Sequence, residues 1–345
     1  MSNKKIDLSN ITEEELLGLR IRDLSLTIKG TWLEECIEKL YAEIDAKGVK
    51  FKPPCYLADE WLTPEHEPNV GIPFFLADPI LMKLEHKMVL EVEGGTKQWC
   101  EKLLRHEAGH AINYAYQLYK RKKWRKIFGR FSTQYLDTYR FRPYSKNFVR
   151  HLEDYYAQYH PDEDFAETFA VWLTPDLDWR VIYEGWGALK KLEFVEGLMA
   201  EIKNKEPLVK KGKKYWDAAK IKTTLRNYYK KKRHFYAEDF PDFHDANLKR
   251  IFIEKNEKNI QLLPAYDFMR KYRKNILQDT SIWTGEKKYI IDDLLKKIVQ
   301  RCKELKLLAH EPESLIALKI SAYVTTLIMN YIYTGRLRGK KCLKN

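Results

Sequence analysis

The chain reads as an α+β protein in which a few short strands precede a long helix near residue 100 and mainly helices follow. Three observations predict this. Extended or alternating apolar stretches cluster before residue 95, apolar residues recur at helical spacing around 103–116 and 160–173, and helical periodicity dominates from residue 175 onward. In chain order, "LSLTIKG" (24–30) alternates and predicts a strand. "TWLEECIEKLYAEIDAKG" (31–48) has helical periodicity and ends on a glycine stop. "VKFKPPCYLAD" (49–59) predicts a second strand, which Pro53 and Pro54 confine to an edge or a bulge. "IPFFLAD" (72–78) and "KMVLEVEGG" (87–95) predict two more. Gly94-Gly95-Thr96 supplies a stop and an N-cap for the helix carrying "LLRHEAGHAINYAY" (103–116), which meets no proline until Pro143. "HPDEDFAETFAVWL" (160–173) predicts the next helix, opened by Pro161 and Asp162, with Phe165, Phe169 and Trp172 at helical spacing. Late in the chain, "YIIDDLLKKIVQRCKEL" (289–305) places Ile291, Leu295, Ile298, Cys302 and Leu305 on one face. No internal repeat is visible.

With 345 residues, 44% hydrophobic and 32% charged, the chain can build one large or two smaller domains with a real core, and its composition is that of a soluble globular protein. We expect a core over residues 1–200 and a basic, mainly helical region over 201–345. "MSNKKIDLSN" has no apolar run after its lysines, which argues against a secretory signal. The apolar run 315–333 carries Lys319, Ser321, Thr325, Thr326 and Asn330, so it reads as a buried helix and not a membrane span. The five cysteines make an odd count and contain no CxxC, which argues against a zinc ribbon and a disulfide framework. Cys100 falls roughly opposite His106 on the helix and reads as core. Free thiols without an export signal point to a reducing cytoplasm.

The chemistry concentrates in "HEAGH". Four residues along an α-helix advance roughly 400° and rise about 6 Å. His106 and His110 therefore share one face, a turn apart, at the spacing that lets two imidazoles reach one zinc ion. Glu107 lies about 100° round from His106, near such an ion but pointing past it. A carboxylate there can hold a water without being a ligand. Catalytic zinc usually takes three protein ligands and keeps a fourth position for water. One type of site takes a third histidine six residues after the second, with a glycine between; those positions are Tyr116 and Asn113, which excludes it. The remaining type takes a glutamate from a later helix. Within 160–173, Glu163 and Glu167 are four apart on one face, so one can bind the ion while the other accepts the ring N–H of a ligand histidine.

"HEAGH" followed by "EDFAETFA" resembles the gluzincins, the HExxH-plus-glutamate peptidases. The resemblance implies a zincin-like catalytic core with a small twisted sheet ahead of the HExxH helix, whose edge strand pairs with extended substrate. It implies one Zn2+ per chain on His106, His110 and Glu163, with Glu167 supporting a ligand histidine. In gluzincins of the lethal-factor type a tyrosine seven residues before the ligand glutamate faces the zinc, and that register falls on Tyr156. More closely, the chain is similar to a bacterial family known only as zinc-binding metallopeptidases, through "GIPFFLADP", "LEVEGGT", "LLRHEAGHA", "YAQYHPDEDFAETFAVWL" and, more weakly, "TTLRNYYKKKR" and "MNYIYTGR". These stretches run along almost the whole chain but name no substrate.

The expected function is therefore a zinc metallopeptidase, a hydrolase in which Glu107 is the general base toward a zinc-activated water and Tyr156 steadies the oxyanion. The insert 120–150 is basic and aromatic, and reads equally as a lid or wall to the cleft and as a solvated covering of the core. Net charge is +13, and residues 201–240 hold 13 Lys+Arg against 5 Asp+Glu. With Tyr228, Tyr229, Phe235 and Tyr236 interleaved, that run has the elements of a nucleic-acid surface, but we read it as the solvated face of amphipathic helices. A basic surface also favours acidic peptide or protein substrates. Two rival readings are a DNA-associated metalloprotease tethered by 201–240 and a non-catalytic, zinc-binding regulatory protein. Glu107 counts against the second, since a structural site needs no base.

Overall fold

Several helix starts are capped by side chains of their own sequence. In the computed structural model, which describes residues 8–135, 142, 144–152, 155–232, 244–256 and 261–334, Thr12 and Glu15 form a reciprocal capping box at α1 (Glu13–Gly18). Thr31 caps α2 (Trp32–Ala46), which buries Leu33, Cys36, Ile37, Leu40 and Ile44 on one face. Strand β1 (Cys55–Ala58) pairs in parallel with β2 (Val70–Pro73), Cys55 opposite Val70. Asp78 accepts the Ile80 amide at 2.8 Å and opens α3 (Pro79–Val89). Thr96 caps α4 (Lys97–Ala115) through the Trp99 amide. A short α5 (Lys122–Phe128) follows, then α6 (Pro161–Leu173), α7 (Trp179–Ile182), α8 (Gly187–Ile202) and α9 (Leu225–Lys232).

All four expected strands are shorter or absent, the one over 49–59 being confined to Cys55–Ala58. Residues 24–30 form none, because Ile21–Leu24 is a 3-10 turn and Ser25 takes φ 51. The backbone pairing here lies just upstream, where the Ile21 and Arg22 amides bond the carbonyls of Thr223 and Ile221. The strand expected over 72–78 stops at Pro73 and becomes a buried 3-10 turn, Phe74–Ala77. Residues 87–89 of the stretch 87–95 are the last turn of α3, which Leu90 ends with φ 62. A capped helix with proline in its first turn overrides a brief alternation. The result is mostly helical with a small two-stranded sheet ahead of α4, an α+β chain.

The chain divides into two compact units, Met1–Lys87 with Val92–Tyr229, and Met88–Glu91 with Lys230–Asn345. The division falls after Tyr229 and not at 200/201, because residues 201–229 fold back on the first unit. The Tyr215 amide donates to the Tyr56 hydroxyl at 3.2 Å, and the Tyr228 hydroxyl donates to the Asp59 carbonyl at 2.9 Å. Tyr229 is buried. Tyr228 and Tyr229 thus face the protein and are not available to stack on bases, while Phe235 and Tyr236 lie outside the described residues.

The second unit is built from α10 (Asp245–Ile251), α11 (Ala265–Thr284), α12 (Lys288–Glu304) and α13 (Glu313–Thr334), with β3 (Ile253–Glu254) antiparallel to β4 (Leu307–Leu308). On α12, Ile291, Leu295, Ile298 and Cys302 enter the core and Leu305 packs against it. Helix α13 is long and apolar enough to cross a membrane by length and composition. Its Ile316, Ile320, Val324, Leu327 and Ile328 form one face of this core.

Candidate metal centre

The site is built where α4 meets α6. Gly109, inside "HEAGH", is what lets them touch: a Cβ there would lie 2.8 Å from the Ala166 Cα and 3.0 Å from its carbonyl oxygen. That approach brings the His106–His110 face against the acidic first turn of α6. All the side chains concerned, His106, Glu107, His110, Asp162, Glu163 and Glu167, are buried.

Each imidazole is held by its Nδ1. His106 Nδ1 lies 2.7 Å from Glu167 Oε1, and His110 Nδ1 lies 2.7 Å from Asp162 Oδ2. An ionised carboxylate only accepts, so both Nδ1 atoms carry the proton and both Nε2 atoms present a lone pair. Those lone pairs converge. His106 Nε2 and His110 Nε2 are 3.2 Å apart, and each is 3.1 Å from Glu163 Oε2. Three acceptors facing one another repel unless a cation sits among them. Ligands about 2.0–2.1 Å from a tetrahedral zinc lie roughly 3.3 Å from each other, so the observed triangle is the right size for one face of that tetrahedron. His106, His110 and Glu163 also form the one group of metal-type ligands that converges among the described residues.

Without a cation, protons take its place. Burial works against a charged His106, but the Glu163 and Glu167 carboxylates outweigh it and lift the ring to about 9. His110 is raised well above its usual value, Asp162 and Glu163 outweighing burial in the same way. The two rings in turn overcome the burial of Glu163 and hold its carboxyl below the usual range.

The supports of this centre reach further than the ligands. Asp162 also accepts from Asn113 Nδ2 at 2.7 Å and from the Tyr114 hydroxyl at 2.5 Å. Glu167 accepts the Leu152 amide at 2.9 Å on its second oxygen. Asp164 turns the other way and meets Lys191 Nζ at 2.6 Å, yet burial still pushes its carboxyl up to about 7. Glu107 stands apart from these pairs. Its Oε2 is buried with no hydrogen-bond partner among the described residues, and burial raises its pKa. Thr63 Oγ1 donates to its backbone carbonyl at 3.2 Å, tying the loop after β1 to α4.

Tyr156 sits in a 3-10 turn, Tyr156–Gln158, with its ring 5.6 Å from that of His106. A second tyrosine, Tyr135, lies on the insert and donates its hydroxyl to Glu163 Oε1 at 3.1 Å. Residues 136–141 and 143 of the insert are outside the described residues. The structure thus brings the sequence-predicted His106, His110, Glu163, Glu167 and Tyr156 together. Sequence reasoning misses Asp162, Asn113, Tyr114 and Tyr135. Asn113 and Tyr114 were readable, being three and four residues after His110 on the same face. Asp162, directly after Pro161, reads in the sequence only as a helix start, and nothing in the spacing marks Tyr135.

Comparison of the chain with protein-family models, with curated proteins and with solved structures finds no match.

Proposed function

We propose that this chain is a zinc-dependent peptidase of the gluzincin type, with a zincin-like core. The observation that carries the reading is the convergence of His106 Nε2, His110 Nε2 and Glu163 Oε2, all acceptors, beside the buried and unbonded Glu107 Oε2. The small sheet ahead of α4 and the ligand helix α6 after it support the zincin-like part of that reading.

His106, His110 and Glu163 would hold the ion. When bound, zinc supplies a Lewis acid that brings the pKa of a water toward about 7 and draws charge from a carbonyl oxygen. The protein's own groups do the rest. Glu107 Oε2, its pKa raised by burial, takes a proton from the water and delivers it to the leaving amine. Glu167 and Asp162 keep the rings in the tautomer that leaves Nε2 bare. Tyr156, whose ring lies beside that of His106, would offer its hydroxyl to the developing oxyanion. The net charge of +13 favours acidic peptides or proteins as substrates. A non-catalytic zinc protein would have no use for Glu107 at this position.

The test compares zinc-loaded wild type with Glu107→Gln on a peptide library that includes acidic sequences. We expect the variant to keep fold and zinc, since the amide is nearly isosteric, and to lose cleavage by roughly 100-fold or more, because the amide cannot accept the proton. Turnover that is the same in both proteins refutes the reading.

A further inference from the structure

Glu163 has two carboxylate oxygens, and the structure treats them differently. Oε2 faces the two histidine Nε2 atoms at 3.1 Å, whereas Oε1 accepts the Tyr135 hydroxyl at 3.1 Å. Tyr135 comes from the insert between α5 and α6, far in sequence from the HExxH helix. It is nevertheless held at two points, by its hydroxyl and by its ring. The ring stacks on that of His160, with centroids 3.8 Å apart and planes 18° apart. His160 is itself pinned as the N-cap of α6. Its Nδ1 accepts the Asp162 amide at 3.1 Å, so its Nε2–H donates to the Thr133 carbonyl at 2.8 Å. Both ring nitrogens are used, and the imidazole forms a fixed plate on which the phenol rests. The insert is thus tied to the start of α6, three residues before Glu163.

We infer that Tyr135 is a positioning residue that limits Glu163 to one-oxygen binding of the ion. This rests on the zinc reading above. A carboxylate can bind a cation through one oxygen or two, and zinc accepts a fifth ligand when one is within reach. A second oxygen from Glu163 would compete with water for the open position. A hydroxyl donating to Oε1 occupies a lone pair of that oxygen and holds the carboxylate in the orientation in which Oε2 faces the histidines.

Cobalt(II) in place of zinc reads coordination number directly, since four-coordinate tetrahedral cobalt absorbs visible light far more strongly than five-coordinate cobalt. The experiment uses the full chain loaded with cobalt, as wild type, Tyr135→Phe and His106→Ala/His110→Ala. Phenylalanine keeps the stack on His160 and removes only the hydroxyl. We expect an intense tetrahedral spectrum for wild type, lost in the double histidine variant, and a severalfold weaker, blue-shifted spectrum at full cobalt occupancy for Tyr135→Phe. Wild-type and Tyr135→Phe spectra that coincide, or a weak five-coordinate spectrum in the wild type, overturn the role of Tyr135 while leaving the metal centre intact. Cobalt bound equally by the double histidine variant overturns the centre, and the inference with it.

Discussion

A histidine whose Nδ1–H is committed to a carboxylate has only Nε2 left for a cation, and both histidines of this site are in that state. In the metal-free protein that cation is a proton. The sign of the resulting pH dependence follows from the folded pKa of His106, lifted to about 9 against an ordinary value of 6.5. A raised histidine pKa stabilises the fold fully below about pH 6.5, and that stabilisation disappears as pH rises through about 9. His110, raised in the same direction, adds to it. The ion removes the need for the proton, so zinc-loaded protein has no such loss. We therefore expect the melting temperature of chelator-treated protein to fall between pH 6.5 and 9 relative to that of zinc-loaded protein; a constant difference across this range would refute the argument. At this scale the sequence was informative about spacing and silent about partners. Four-residue spacing put Glu163 and Glu167 on one face but did not say which faces Nε2, and the choice came from a family resemblance. Asp162 holds His110 from the residue next to Glu163, and a first-turn acid is ordinarily explained by the helix start alone.

The helices were more legible than the expected strands, of which only the pair within 49–59 and near 72 formed. Cap and apolar period agreed for α2, α4 and α6, and apolar period alone marked α12, whereas "LSLTIKG" and "KMVLEVEGG" offered alternation over a few residues with nothing to say whether a partner strand exists. Such short signals lose to a local turn or to a well-capped neighbouring helix. At the α4–α6 contact the element scale sets the site. Arg105 donates to both oxygens of Glu43 at 2.7 and 2.6 Å, a buried fork that fixes α4 against α2 on one side. On the other, Gly109 lets α6 approach. Because the added methyl of Gly109→Ala meets backbone at 2.8 Å and not a flexible side-chain end, the helices must separate. Overpacking of this kind costs about 1–3 kcal/mol. It should also draw Glu163 away from the histidines. Chelator competition should therefore show weaker zinc binding in Gly109→Ala alongside a lower denaturation midpoint. Wild-type affinity in a destabilised variant would mean that the centre tolerates a looser helix contact than we argue.

The three converging side chains His106, His110 and Glu163, both carboxylates that hold the rings, and Glu107 belong to one of the two compact units, Met1–Lys87 with Val92–Tyr229. The other unit has a separate core, in which Phe268, Ile291, Leu295, Ile320 and Val324 pack without any residue of the site. A boundary near residue 200 was the natural reading of a basic run that begins there, but composition reports where charge lies and not where the backbone returns. Tyr56 and Asp59 recapture the chain at Tyr215 and Tyr228, contacts with no local signal. The division has a measurable consequence for metal removal. An ion that binds only the folded site stabilises the elements that carry its ligands, and those elements open locally more often once it is gone. Stripping zinc should therefore lower amide hydrogen-exchange protection in α4 and α6, most of all around Gly109 and Ala166, where the helices are in contact. The amides of α12, whose Ile291, Leu295 and Ile298 belong to the core of the second unit, should exchange at the same rate with or without zinc. Equal loss of protection in α12 would show that the metal stabilises the whole chain as one cooperative body. No loss in α4 and α6 would place the bound metal somewhere other than between His106, His110 and Glu163.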